Sequence, residues 1–281
     1  MGKDSKISWC DNTFNPWVGC CKISSGCKWC YAEREMTRKK RWENAWGPEV
    51  LTQRVVTSEE YWKMPYRWDK EVKESDKKGG EIKMPTPVVF CGSLCDVFEE
   101  HKDVAWARER LWEMIEATGN LIWVLLTKRP ENINSMVPAT WRMVPPENVW
   151  MGVSVENQET ADRRIRELEF VNAEVKCVSY EPAIGPVRWD VEKHRVDWIK
   201  CGGESGANAR PFLEVWGMMT EVWTKKNGVK FYMKQMGSVW ANEYKRVHGD
   251  KFYVDPGSKG QNIETFPERL KVREFPVERY K

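Results

Sequence analysis

From residue 86 onward the chain repeats one unit: a short apolar run rich in β-branched and aromatic residues, an abrupt polar or glycine stop, then a stretch of helical length. Pro87–Phe90 meets Cys91-Gly92-Ser93-Leu94-Cys95-Asp96, and Leu121–Leu126 meets Thr127-Lys128-Arg129-Pro130. Val149–Val153 meets Ser154-Val155-Glu156-Asn157, and Glu174–Val178 meets Ser179-Tyr180-Glu181-Pro182. Val196–Cys201 meets Gly202-Gly203-Glu204-Ser205-Gly206, and Val229–Met233 meets Lys234-Gln235. Amphipathic segments of helix length, Val104–Thr118, Thr160–Leu168 and Leu213–Lys226, lie between these runs. Strands separated by helices at roughly 25–35 residue spacing define βαβ units and a parallel sheet. With a short first strand near Trp17-Val18-Gly19 the count reaches about six to seven strands. The fold expected is therefore α/β, a partial or nearly closed TIM-like (β/α) barrel. In such barrels the active site lies at the C-terminal strand ends, where each polar stop falls.

Residues 1–237 are expected to form this barrel. A charged, Trp-rich insertion interrupts it at about 38–85, with Arg38-Lys39-Lys40-Arg41-Trp42, Trp46, Trp62, Trp68 and Lys77-Lys78-Gly79-Gly80. Residues 238–281, with Asp255-Pro256-Gly257, read as an irregular extension packed on the barrel. The 45 basic and 42 acidic residues leave a net charge of only +3, which argues against a whole-surface nucleic-acid footprint but not against local patches. Apolar runs such as Leu121–Leu126 are too short to span a membrane, so no membrane partner is expected. The opening Met1–Lys6 is polar and unlike a signal peptide, which makes a cytoplasmic location the expectation. Nine cysteines then point to reduced thiols or metal rather than disulfides.

Cys20, Cys27 and Cys30 sit in one loop as C-x6-C-x2-C, and no fourth cysteine follows closely. A closed zinc site needs four ligands, whereas a [4Fe–4S] cluster on three thiolates leaves one iron open. The competing readings are zinc completed by Cys10 or a distant ligand, and packed free thiols. Cys21 could replace Cys20 as the first ligand. Cys91, Cys177 and Cys201 read as small apolar residues of the barrel interior.

Ordered phrases along the chain resemble one family. They are Asn15-Pro16-Trp17-Val18-Gly19-Cys20, Gly26-Cys27-Lys28-Trp29-Cys30-Tyr31-Ala32, Leu126-Thr127-Lys128-Arg129-Pro130-Glu131, Gly152-Val153-Ser154-Val155-Glu156-Asn157, Ser179-Tyr180-Glu181-Pro182, Gly202-Gly203-Glu204-Ser205-Gly206 and Lys234-Gln235-Met236-Gly237. From about residue 8 to about residue 238 they are similar to the phage three-Cys-motif (Gp37/Gp68, DUF5131-like) proteins, which look like divergent radical S-adenosylmethionine (SAM) proteins. The cysteine loop itself is similar to the radical SAM C-x3-C-x-aromatic-C loop, with a longer first spacing. One departure is Gly92-Ser93-Leu94-Cys95-Asp96, where the family tends to carry Gly-Ser-Met-Ser-Asp.

The resemblance implies a radical SAM type of barrel, with a [4Fe–4S] cluster on Cys20, Cys27 and Cys30. SAM would be cleaved to a 5′-deoxyadenosyl radical with an electron from an external one-electron donor. Gly92, Ser93, Asp96, Ser154, Glu156 and Asn157 are the implied SAM contacts. Cys95, Lys128, Glu181, Glu204 and Lys234 are the implied catalytic rim residues, with Arg129 beside Lys128 as a partner for carboxylate or phosphate and Cys95 as a hydrogen-donating thiol. The substrate expected is a nucleic-acid base, a hypermodified thymidine in phage DNA or its nucleoside, modified or isomerised. A small molecule or peptide is the alternative substrate. A non-enzymatic, zinc-binding nucleic-acid or partner-binding module is the alternative of a different class.

Overall fold

The computed structural model describes residues 2–40, 42–77, 86–249 and 259–276. Seven strands, parallel throughout, form one sheet: β1 (Asn12–Phe14), β4 (Val88–Cys91), β5 (Ile122–Thr127), β6 (Val149–Val155), β7 (Val175–Tyr180), β8 (Trp198–Gly202) and β9 (Lys230–Gln235), in that order. The sheet curls into a half-barrel, the partial TIM-like architecture anticipated. The first strand differs from expectation. Trp17–Val18 (β2) pairs antiparallel with Val55–Val56 (β3) in a separate ribbon, and Asn12–Phe14 takes the sheet edge beside β4.

Helices α4 (Ala105–Ala117), α7 (Gln158–Glu169) and α8 (Glu214–Asn227) fall on the three amphipathic segments. Short helices α5 (Ile133–Met136) and α6 (Ala139–Met143) bridge β5 to β6. Within the 38–85 insertion, α2 (Glu59–Trp62) and α3 (Met64–Lys77) carry Trp62 and Trp68 into the core. α1 (Tyr31–Arg38) follows the cysteine loop. The chain after Gly237 opens with a helix, α9 (Ser238–His248), rather than irregular chain, and a later segment bridges back to the sheet through Tyr232 and Arg273. Arg41, Lys78-Gly79-Gly80 and Asp255-Pro256-Gly257 lie outside the described residues.

Strand residues alternate between two apolar layers. Trp123, Leu125, Met151, Val153, Val178 and Ile199 face the helices, packing with Leu111, Ile115, Ile165 and Leu168. The concave face is filled without helices, by Trp9, Val88, Val124, Trp150, Cys177, Trp198 and Tyr232. Cys177 is thus interior, but Cys91 and Cys201 sit in the helix-covered layer, because residues one position apart on a strand point to opposite faces. Lys200 lies fully buried on the concave side, its ammonium 4.0 Å from the Trp198 ring and 4.7 Å from that of Trp9. Among the described residues, no helix is long and apolar enough to cross a membrane.

Candidate functional site: a thiol loop across the barrel mouth

Gly19 begins the loop at φ +115°, where an added Cβ would stand 2.2 Å from the Ala45 carbonyl oxygen, and its N–H donates to Leu94 O (3.0 Å). Ser25–Cys27 form one 3₁₀ turn, and Cys30 stands at the N-cap of α1. The loop lies across the C-terminal ends of the sheet strands, fastened to several of their exit loops. After β4, Glu99 Oε1 accepts the Cys21 N–H (2.7 Å) and Ser93 O accepts the Tyr31 hydroxyl (2.7 Å). After β5, Arg129 donates to Cys21 O (2.9 Å) and approaches Cys20 Sγ at 3.7 Å. After β6, Glu156 Oε1 accepts the Ser24 hydroxyl (2.7 Å). After β8, Arg210 donates to Ser25 O (3.0 Å) and Ser205 O accepts from Arg34 (3.0 Å).

Behind these anchors stands a second set of contacts. Asp96 pairs with Arg129 (2.9 Å) and accepts the Thr127 hydroxyl (2.7 Å). Glu99 is clamped by Arg54 at 2.8 and 2.9 Å, with both side chains almost fully enclosed. Glu156, completely buried, pairs with Arg164 at 3.1 Å. Glu204 takes two hydrogen bonds from the Arg210 guanidinium, at 2.8 and 2.6 Å. Ser93 exchanges hydrogen bonds with Asn15 (3.0 and 3.2 Å). Asn157 caps α7, accepting the Thr160 N–H at 3.1 Å in a reciprocal capping box. Gly92 turns the chain after β4 at φ +86°, and Ser154 lends its carbonyl to Arg164 (2.6 Å).

The polar stops thus gather at one rim as expected. However, Asp96, Glu156 and Glu204 are held by arginines that the sequence did not connect to them. Nothing local in the sequence marks Arg54, Glu99, Arg164 or Arg210 as partners, since each reads as one more surface charge. Glu181 and Lys234 form a separate pair at the strand ends, with Lys234 Nζ 3.0 and 3.1 Å from the two carboxylate oxygens. Ser179 Oγ donates to the same carboxylate at 2.9 Å, and Gly202 leaves room for it. Lys128 Nζ stands 4.0 Å from Glu156 Oε1.

Burial alone would raise the Cys27 thiol, but the Lys128 charge and hydrogen bonds from the Ser24 region outweigh it and draw the pKa below its ordinary value. Cys20 is raised, by burial first and then by Glu99 and Asp96. Burial likewise raises Cys95, next to the Gly19 bridge, and pushes Cys10 up to about 11. Three cysteines on one loop at a strand-end rim suit ligation of an iron–sulfur cluster by residue type and by place, although only Cys27 is drawn toward the thiolate by its surroundings. The cage is not preformed. Among the described residues no three His, Cys, Asp or Glu side chains stand as a ready metal-ligand set, and the Cys20 thiol turns toward Cys21 O and Arg129. A separate cleft of about 400 Å³ opens at the opposite end of β7–β9, lined by Lys176, His194, Arg195 and Asp197, and no thiol reaches it.

An all-parallel half-barrel with a cysteine loop fastened over its C-terminal mouth is the class that these features define. The chain belongs to the family described as "Protein of unknown function (DUF5131)", which matches residues 4–267. No curated protein and no solved structure matches it.

Proposed function

We propose that this chain is a radical SAM enzyme acting on a nucleic-acid base, with a modified thymidine in DNA as the expected substrate. The observation that carries the reading is the seating of Cys20, Cys27 and Cys30 over the barrel mouth, where barrel enzymes keep their chemistry. These three residues would hold a [4Fe–4S] cluster. Such a cluster would supply the single electron for cleaving the carbon–sulfur bond of SAM, while the protein would bind, orient and exclude competing reactions. Lys128 would offset part of the negative charge that the thiolates bring, and Arg129, already paired with Asp96, would hold the Cys20 side of the loop. Glu181 and Lys234, left unclaimed by the loop, offer a carboxylate and an ammonium to polar groups of SAM or substrate. The tryptophans below them close the concave face to water.

The outer side of the loop favours a base over a peptide. Trp29 is exposed beside Cys30 with Lys28 5.3 Å from its ring centre, while Tyr31, its ring half exposed, keeps its hydroxyl on Ser93 O at the rim. Aromatic rings flanked by cations are what unstacked bases and their phosphates need. The test is anaerobic purification, reconstitution with iron and sulfide, and electron paramagnetic resonance with and without SAM. A brown protein whose reduced signal shifts on adding SAM supports the reading. Zinc in place of iron, or a cluster blind to SAM, overturns it. Binding of oligonucleotides that weakens steeply with salt supports the substrate class, and turnover of peptides alone refutes it.

A further inference from the structure

Cys20 and Cys21 are adjacent and chemically alike, yet in extended chain neighbouring side chains point to opposite sides. Cys20 lies in such chain, bridged to Trp46. Only one of the two thiols can therefore face the mouth, and the peptide around Cys21 decides which. Its N–H is held by Glu99 Oε1 at 2.7 Å and its carbonyl by Arg129 at 2.9 Å, so it is gripped from both sides. Glu99 cannot swing away, since Arg54 holds both its oxygens and Arg129 approaches at 3.5 Å. With the peptide so fixed, the Cys20 thiol points in toward Arg129 (3.7 Å), while the Cys21 thiol turns out toward Lys22 O (3.7 Å) at the exposed side.

We propose that Glu99 is a positioning residue which commits Cys20, and not Cys21, to the thiol site at the barrel mouth. The inference rests on the radical SAM reading only for what the thiol then holds. Exchanging the two thiols would require Glu99 and Arg129 to release their partners together. Glu99→Gln breaks the grip whichever way the amide turns. Its NH2 group would face either the Arg54 Nε–H or the donors from Cys21, Arg54 and Arg129, and a donor cannot replace an acceptor there.

The experiment is timed alkylation of the metal-free protein, read by peptide mass spectrometry at each cysteine. Cys21 should label faster than Cys20 by roughly tenfold or more, because the Cys20 thiol faces inward against Arg129 and must wait for the loop to open, whereas the Cys21 thiol lies at the exposed side. In Glu99→Gln the ratio should fall toward one while the thermal transition stays cooperative. After iron and sulfide reconstitution, Cys21→Ser should keep the visible absorption and Cys20→Ser should lose it. Faster labelling of Cys20, or loss of iron only in Cys21→Ser, overturns the assignment. An unchanged ratio in folded Glu99→Gln removes Glu99 from the role. If the variant does not fold, the wild-type ratio and the two serine variants still decide which thiol is committed. If the wild-type chain takes up no iron, the radical SAM reading fails, and the labelling ratio still decides the orientation.

Discussion

Arg54 enters from the 38–85 segment with its side chain fully enclosed, and its guanidinium makes five hydrogen bonds. Nε reaches Glu99 Oε2 (2.8 Å), one terminal nitrogen reaches Glu99 Oε1 and Gly47 O (both 2.9 Å), and the other reaches Ala45 O and Thr52 Oγ1 (both 2.8 Å). Arg54→Met keeps most of the stem's volume and deletes the charge. Glu99 then retains only the Cys21 N–H at 2.7 Å and Arg129 at 3.5 Å. Removing one member of a buried pair costs about 3–5 kcal/mol, because the other charge stays behind. An unfolding entropy of about 2.1 cal/mol/K per residue gives roughly 0.6 kcal/mol/K for 281 residues. Calorimetry should therefore show Tm falling by about 5–8 °C. The double variant Arg54→Met/Glu99→Gln should recover at least about 1 kcal/mol of the summed single losses, since no charge is then stranded. A Tm loss below about 2 °C, or single losses that simply add, would refute the view that this pair fastens the insertion to the rim.

Acid should weaken the fold through His194. This buried ring accepts the Asp190 N–H at Nδ1 (2.9 Å), so its proton sits on Nε2, facing Asp162 at 3.0 Å. Burial holds its pKa below 6.5, against the pull of Asp162. Between the folded value and 6.5 the unfolded chain binds more protons, so stability falls as pH drops through 6.5 and levels off below the folded value. Urea midpoints between about pH 7.5 and 5 should show this slope, and His194→Gln should lack it; an unchanged slope in the variant counts against the assignment. At Gly26 an added Cβ would stand 2.4 Å from Glu156 Cγ and Oε1, and Arg164 prevents Glu156 from moving aside. Gly26→Ala should therefore displace the loop, speed hydrogen exchange across residues 20–30 and reduce iron uptake, with little change in Tm. Wild-type exchange in that variant would show that the loop is not seated by this contact.

Helices α4, α7 and α8 and six of the sheet strands were legible because their periodic or apolar runs are long and their stops abrupt, whereas α9 was not. Nor was the seventh strand. Asn12-Thr13-Phe14 looks like loop, but at the sheet edge it needs only β4 as a partner, and its polar side chains are buried by their surroundings. Trp17-Val18 looks like strand because it is apolar, yet its partner, Val55–Val56, comes from the insertion. Continuous apolar runs also hide which face each residue takes, as Cys91 and Cys201 illustrate, since both faces of the sheet are covered.

The rim posed a different problem. Sequence locates charges at strand ends but cannot say which are already matched, because the matching arginines lie 6 to 45 residues away. This difference changes how loss of function at the rim should be read. Substituting Asp96, Glu156 or Glu204 strands Arg129, Arg164 or Arg210, each of which holds the loop or the carboxylate that anchors it. On the proposed reading such variants would lose activity through thiol position, whatever else those carboxylates touch. Among the described residues the Glu181 carboxylate takes its side-chain hydrogen bonds from Lys234 and Ser179 and none from the loop, so on the proposed reading a Glu181→Gln variant that keeps its iron and loses turnover would point to contact with SAM or substrate. For this fold the informative rim substitution is the one that leaves the thiol loop where it is.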